Sequence, residues 1–312
     1  MTTNDIYSNI TNKIIADLEK GELTWRKPWS DANLSENVMR PLQWDGTPYK
    51  GINTIMLWAT AAENGFTSPY WMTYHQAVEL KAHVRKEQKS LVRTVKVLKR
   101  DSEEPGSEDE SEDNKTRQFT YLKQYAVFNA CQIEGLSEHY YKLPERVIEN
   151  PEQHMEAIDR FFAMTKADLK IGNKAAYFIT SDHIEMPPFE CFDSAARYYE
   201  TLAHETTHWT RHPSRLNRDF NRKQWGDEGY AKEELVAELG SCFLAADLGL
   251  APIIKDDHAA YIQSWLKVLK NDKRFIFFAA SYAQKAVEYL HAMQSQDTFN
   301  PSRAMVIPQP QI

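Results

Sequence analysis

Residues 194–212 read SAARYYETLAHETTHWTRH, and residues 230–244 read YAKEELVAELGSCFL. The first stretch has the texture of a long helix that Asp193 can cap, and it carries His204, Glu205 and His208 as HExxH. Positions four apart share a helical face, so both imidazoles can hold one ion. Glu205, beside the first, can reach a water in the open coordination position. Three protein ligands and an open place make a catalytic zinc site, so one more anion is required. The second stretch supplies it: Glu234 and Glu238 are again four apart, on a helix expected from about Ala231 to Asp247 and stopped by Gly249. Glu234 is expected as the third ligand, and Glu238, one turn deeper, as the carboxylate that orients a histidine. Glu233 points ~100° away around the helix and reads as solvated. His212 extends the histidine face, but Pro213 ends the helix there. Tyr230 reads as a packed aromatic, within reach of an oxyanion at most. One divalent ion, expected to be zinc, with Glu205 as general base, gives metal-assisted hydrolysis. The strand before the active helix is expected to offer its edge to an extended peptide.

Outward from this pair the chain divides near residue 150, where a polar stretch follows Leu143-Pro144. Beyond it come a helical HMEAIDRFFAMTKAD, short strands at AAYFIT and His183 to Met186, and two tail helices, Asp257 to Leu269 and Lys273 to Met293. Before it, Ile6, Ile10, Ile14 and Leu18 mark an opening amphipathic helix. A second helix is expected over Asn53 to Asn64 and a third from about Thr73. SLVRTVKVLK and FTYLKQYAVFNACQI alternate as two strands of a long hairpin, with Arg93 and Lys96 at its surface. The fold expected is α+β in two domains, 1–150 and 151–312.

The net charge of −7 is unevenly spread. Residues 1–150 hold 19 Lys and Arg against 22 Asp and Glu, but eight of those acids fall between Asp101 and Asp113. Without that tract the first half has 19 basic residues against 14 acidic. The tract has nothing large and apolar to bury, so residues 101–118 are expected as a disordered, solvated loop. Five of the eight tryptophans, Trp25, Trp29, Trp44, Trp58 and Trp71, lie in the first 71 residues. Interleaved aromatics and a basic strand are what a single-stranded nucleic-acid groove requires, because bases stack on rings while phosphates follow cations. Two or three of those rings are expected to be exposed. Cys131, Cys191 and Cys242 are odd in number and have no CxxC spacing, which argues against a disulfide framework or a cysteine metal site. The first residues lack a secretory pattern and no stretch has the ~18 apolar residues of a membrane span, so a cytoplasmic protein without membrane contact is expected.

Taken in order, TWRKPW, GTPYKGINTIMLW, SPYWMTYHQAVELKAHVRKEQKS and YAVFNACQIEGL resemble the N-terminal single-stranded-DNA-binding domain of ArdC-type antirestriction proteins. IEMPPFECFDSAARYYETLAHETTHWTRHPSRLNRD with YAKEELVAELGSCFLAADLGL is similar to the zincin-like metallopeptidase domain that follows it in that family. The resemblance implies a protein of plasmids or phages that protects incoming DNA from host restriction, with a gluzincin-type second domain. DNA contacts are then expected from Trp29, Tyr49, Asn53, Trp71, Arg85, Lys86, Lys89, Arg93 and Lys96. The chain departs from the family in its acidic tract and at Arg85-Lys86-Glu87-Gln88-Lys89, where the family's basic turn usually carries a Gly. Two other readings compete: a protease acting on a host regulator, and a replication-associated DNA-binding module whose metal is structural.

Overall fold

The apolar positions of the opening segment form the buried stripe of helix α1 (Thr3–Glu19), where Ile6, Ile10, Ile14 and Leu18 face inward. The computed structural model describes residues 3–30, 38–102, 117–142, 151–221, 226–250 and 259–294. A 3-10 turn (Thr24–Arg26) and the short helix α2 (Lys27–Ser30) follow α1. Helix α3 (Ile52–Asn64) ends at Gly65, whose left-handed φ of 64° lets its N–H close on Ala61 and Ala62. Thr73 and Gln76 form a reciprocal capping box that starts the short α4 (Tyr74–Glu79).

Strands β1 (Trp71–Met72), β3 (Val92–Ser102) and β4 (Arg117–Asn129) make a sheet ordered β1-β4-β3, and β2 (His83–Val84) pairs with β5 (Ile133–Glu134). The β3–β4 hairpin is antiparallel from Val92↔Val127 to Ser102↔Arg117. Asp101, Ser102, Arg117 and Gln118 are therefore paired strand residues, not loop as expected. The rest of the acidic tract, 103–116, lies outside the described residues.

In the second half, α5 (Pro151–Met164) leads to a small sheet of β6 (Asp168–Ile171), β7 (Ala176–Phe178) and β8 (His183–Met186) in the order β6-β8-β7. Helices α6 (Ala195–Trp209), α7 (Glu228–Leu248), α8 (Ala259–Asn271) and α9 (Phe275–Ala292) complete it. α7 is buried around nearly its whole circumference, because α6, α8 and α9 all pack on it. No helix among the described residues is long and apolar enough to cross a membrane.

The two halves share one apolar core. Ile6, Trp25 and Trp58 belong to the same buried cluster as Phe243, Trp265 and Ile276, and the Trp58 ring lies 5.9 Å from that of Phe243. A second, smaller core, including Met39, Leu42, Tyr70, Ile133 and Tyr140, is built from the first half alone. Between the halves, Arg40 reaches Asp247 on α7 at 2.9 Å.

Candidate metal centre and nucleic-acid face

Ser194, not Asp193, caps α6, accepting a bond from the Arg197 N–H. Along that helix His204 and His208 turn their Nε2 atoms to within 3.2 Å of each other. Glu234 of α7 places its two oxygens 3.4 Å from His204 Nε2 and 3.5 Å from His208 Nε2. Ligands at 2.0–2.1 Å around a tetrahedral ion are separated by about 3.3 Å, so this donor set has the dimensions of a metal site. Among the described residues these three form the one cluster of such donors. The His204 side chain is 20% exposed, whereas His208 and Glu234 are buried, so solvent approaches from the His204 side. Glu205 follows His204, buried and outside the donor cluster.

Behind the donors, Glu233 corrects the sequence reading. It is not solvated but fully buried, and His208 Nδ1 lies 3.1 Å from its carboxylate. With Nδ1–H donating to Glu233, Nε2 is the nitrogen turned toward Glu234 and His204. Arg218, from the loop after α6, fixes Glu233 with Nε and Nη2 bonds of 2.8 and 2.7 Å, and also reaches the Thr207 carbonyl. Burial opposes ionisation of Glu233, but Arg218 and then His208 outweigh it and hold the carboxyl down to about 2. Burial likewise disfavours a His208 cation, yet Glu234 and Glu233 push that imidazole up to about 10. Glu234 is held far below the carboxylate range, its burial outweighed by His208 and His204.

Glu238, expected behind a histidine, is turned elsewhere. Its Oε1 accepts from Trp25 Nε1 at 3.2 Å and Arg26 Nε at 2.6 Å. His212 turns to Ser214 and stays out of the cluster. The Tyr230 hydroxyl sits 3.2 Å from that of Tyr261 on α8, and both phenols are pushed up by burial and by the neighbouring Glu234. Nothing in the sequence pointed to Tyr261, because only tertiary packing brings α8 to this place. Helices α6 and α7 approach closely at Gly240, where a Cβ would fall 2.5 Å from Thr207 Cγ2. The expected peptide edge is also corrected. β8, the strand before α6, is paired on both sides, parallel to β6 and antiparallel to β7, so the free edges belong to those two.

The expected DNA contacts are scattered. Arg85, Lys86 and Lys89 are exposed on the turn after β2, and Arg93 and Lys96 are exposed on β3. Being three apart on a strand, Arg93 and Lys96 lie on opposite faces of the ribbon. Trp71 is 1% exposed and offers no ring to a base. Asn53 is structural: its side chain accepts from the Val95 N–H and donates to the Val95 carbonyl, at 2.7 and 2.9 Å. Tyr49 is half-buried with its hydroxyl 3.4 Å from the Trp71 carbonyl. The Trp29 side chain lies outside the described residues. Trp25 and Trp58 are also core, leaving Trp44, at 36%, as the exposed ring of the four described.

Sequence reasoning missed three residues opposite β3. Lys96 pairs directly with Lys123, and one pair of residues to either side on that face stand Tyr125 and Tyr121. Tyr121 is 40% exposed, and the Lys123 ammonium lies 5.2 Å from the Tyr125 ring centre. Opposed like charges are unfavourable in a bare ribbon, and a polyanion relieves them. The residues stand in YLKQYAVF, whose alternation shows a returning strand but not which of its side chains face Lys96. Cys131, Cys191 and Cys242 are all free and outside the donor cluster.

Known proteins match both halves in this order. Residues 4–128 match the family model of the N-terminal domain of the anti-restriction factor ArdC, and residues 156–282 match that of a zincin-like metallopeptidase. The uncharacterized protein y4eC of Sinorhizobium fredii (strain NBRC 101917 / NGR234) is 37% identical over 305 residues, 97% of this chain and 96% of that protein. A DNA primase TraC of Escherichia coli is 34% identical over 308 residues, 93% of this chain but 27% of the primase. The crystal structure of the antirestriction ArdC protein from plasmid R388, metal-free, is 46% identical with a TM-score of 0.77, covering 93% of this chain and 97% of that one. Its Mn(II)-bound structure gives 45%, 0.74, 93% and 98%.

Proposed function

Since the chain belongs to the ArdC-type antirestriction family, we propose that it binds single-stranded DNA inside a bacterial cell and shields newly arrived DNA from restriction. The observation that carries this reading is the likeness to an antirestriction protein across both modules at once, at 46% identity. The contact surface proposed is the ribbon face of Lys96, Lys123, Tyr121 and Tyr125, with Arg85, Lys86 and Lys89 on the adjoining turn. Rings there stack on unpaired bases and ammonium groups follow the phosphates.

The second module is proposed to hold one divalent ion through His204 Nε2, His208 Nε2 and a Glu234 oxygen. The relative's Mn(II)-bound structure supports a dication, and the nitrogen and carboxylate donors suit zinc as well. When bound, such an ion supplies Lewis acidity toward a carbonyl and lowers the pKa of water. In this reading Glu205 takes the proton on its carboxylate, Glu233 holds the His208 ring in orientation, and the Tyr230–Tyr261 hydroxyl pair beside Glu234 serves as a hydrogen-bond donor. The substrate proposed for this chemistry is a peptide or protein.

Shielding and chemistry separate in a transformation assay against a restricting host. Glu205→Gln should lower any peptidase activity by ~10²-fold or more while retaining metal and protection. Lys96→Glu with Lys123→Glu should lose single-strand affinity and protection together. Loss of protection by Glu205→Gln with DNA binding intact would overturn shielding in favour of proteolysis of a host component, the reading favoured by the complete hydrolytic donor set. The likeness to primases supports a replication-associated module with a structural metal, but the solvent-facing His204 suits an open site better than a sealed one.

A further inference from the structure

TWRKPW, grouped by its sequence with the DNA-binding half, delivers its arginine to the other module. Arg26 is 3% exposed, with Nη2 2.6 Å from Glu200 of α6 and Nε 2.6 Å from Glu238 of α7. Glu200 precedes His204 by four residues and Glu238 follows Glu234 by four, so each carboxylate lies one turn, ~6 Å along its helix, from a donor of the metal cluster. The arginine itself is anchored. Trp25, fully buried and edge-on to Trp265 at 5.7 Å, donates to the same Glu238. Thr24 and Lys27 on either side both bind Asp17, at 2.8 and 2.9 Å.

Glu200 is 1% exposed, and neither of its oxygens makes a hydrogen bond of good geometry among the described residues. The Arg26 charge is therefore what offsets the burial of that carboxylate. One guanidinium joins the two helices that carry the donors.

We propose that Arg26 is a positioning residue for the metal site: held by the N-terminal segment, it sets α6 and α7 so that His204, His208 and Glu234 converge on one ion. The inference rests on the metal reading above. Charge and position act with opposite sign here. Removing a cation near a dication site strengthens binding by electrostatics alone, whereas losing the clamp lets the donors drift apart and weakens it.

The test uses full-length wild type, His204→Ala, Arg26→Lys, Arg26→Met and the triple Arg26→Met/Glu200→Met/Glu238→Gln. The triple avoids stranding two buried carboxylates, and its glutamine keeps an acceptor for Trp25. Mn(II) or Zn(II) alone is titrated against a chromophoric chelator, and each protein is melted in EDTA and in metal. Arg26→Met and the triple should bind metal about 10-fold or more weakly, as supports behind a ligand do. Their metal-dependent rise in Tm should shrink, Arg26→Lys should recover part of the loss, and single-strand DNA affinity should be unchanged. Affinity equal to or tighter than wild type in a folded Arg26→Met or triple overturns the proposal. So does equal loss of folding in all Arg26 variants with and without metal, because the arginine is then only a core ion pair. A wild type indistinguishable from His204→Ala removes the metal reading itself, and this inference with it.

Discussion

Glu87 holds a φ of +70°, in the left-handed region, within the basic turn after β2. A side chain there strains the backbone by about 1 kcal/mol, and this one also sets an acid among Arg85, Lys86 and Lys89. Glu87→Gly should raise stability by up to ~1 kcal/mol in chemical denaturation and tighten single-strand binding at low salt. An unchanged affinity would take the turn out of the DNA surface. Around the metal donors, pH acts through two shifted groups. Glu233, held down to about 2, contributes stability that is fully present above its ordinary 4.5 and lost as pH falls toward 2. His208, pushed up to about 10, contributes stability present below its ordinary 6.5 and lost as pH rises through 10. At neutral pH an incoming ion must therefore displace the His208 proton. Metal affinity should rise about tenfold per pH unit between pH 7 and 9, with one proton released in calorimetry across buffers of different ionisation heat. A flat profile would argue against His208 as a ligand. Glu233→Gln should weaken metal binding ~10–100-fold, measured by the same titration.

At the scale of elements, α6 and α7 touch where Gly240 meets Thr207, a stiff side chain that is fully buried and bonded to the Ala203 carbonyl. Gly240→Ala must push the helices apart. It should lower Tm and weaken metal binding together, by ~1–3 kcal/mol in stability, and a metal affinity unaffected by the insertion would show that the donors tolerate the shift. The helices themselves were legible in the sequence, because i, i+4 spacing is a local property and α6 and α7 carry His204, His208 and Glu234 on local faces. Glu233 was not legible. A helical wheel gives direction but cannot say that a loop returns Arg218 to that side. Trp71 and Asn53 failed for a related reason, since composition counts a ring or an amide without its exposure. Lys123, Tyr121 and Tyr125 became visible only once the register Lys96↔Lys123 fixed which residues share a face.

Across the whole molecule the division near 150 is crossed by packing. α1 lies against α8, α3 against α9, and Arg40 is tied to both Asp247 and Gln284. Burial disfavours an Asp247 anion, but Arg40 and His291 overcome it and hold the carboxyl below its usual range. A fragment of residues 1–150 should therefore expose the apolar faces of α1 and α3, and show poor solubility or a broad, low-Tm melt, although its small second core is complete. A sharp, cooperative melt of that fragment near the full-length Tm would contradict the shared core. Asp247→Asn in the full chain should lower Tm at neutral pH and lose that difference in acid, where the native carboxyl is itself protonated.

Because Ile6, Trp25, Trp58, Phe243 and Trp265 lie in one apolar cluster, a recombination event joining the first half of this chain to a foreign second half would strip both of their inner surface. Such hybrids would be degraded before selection could act on their binding or chemistry. The Escherichia coli primase, which matches 93% of this chain within 27% of its own length, carries the two halves together.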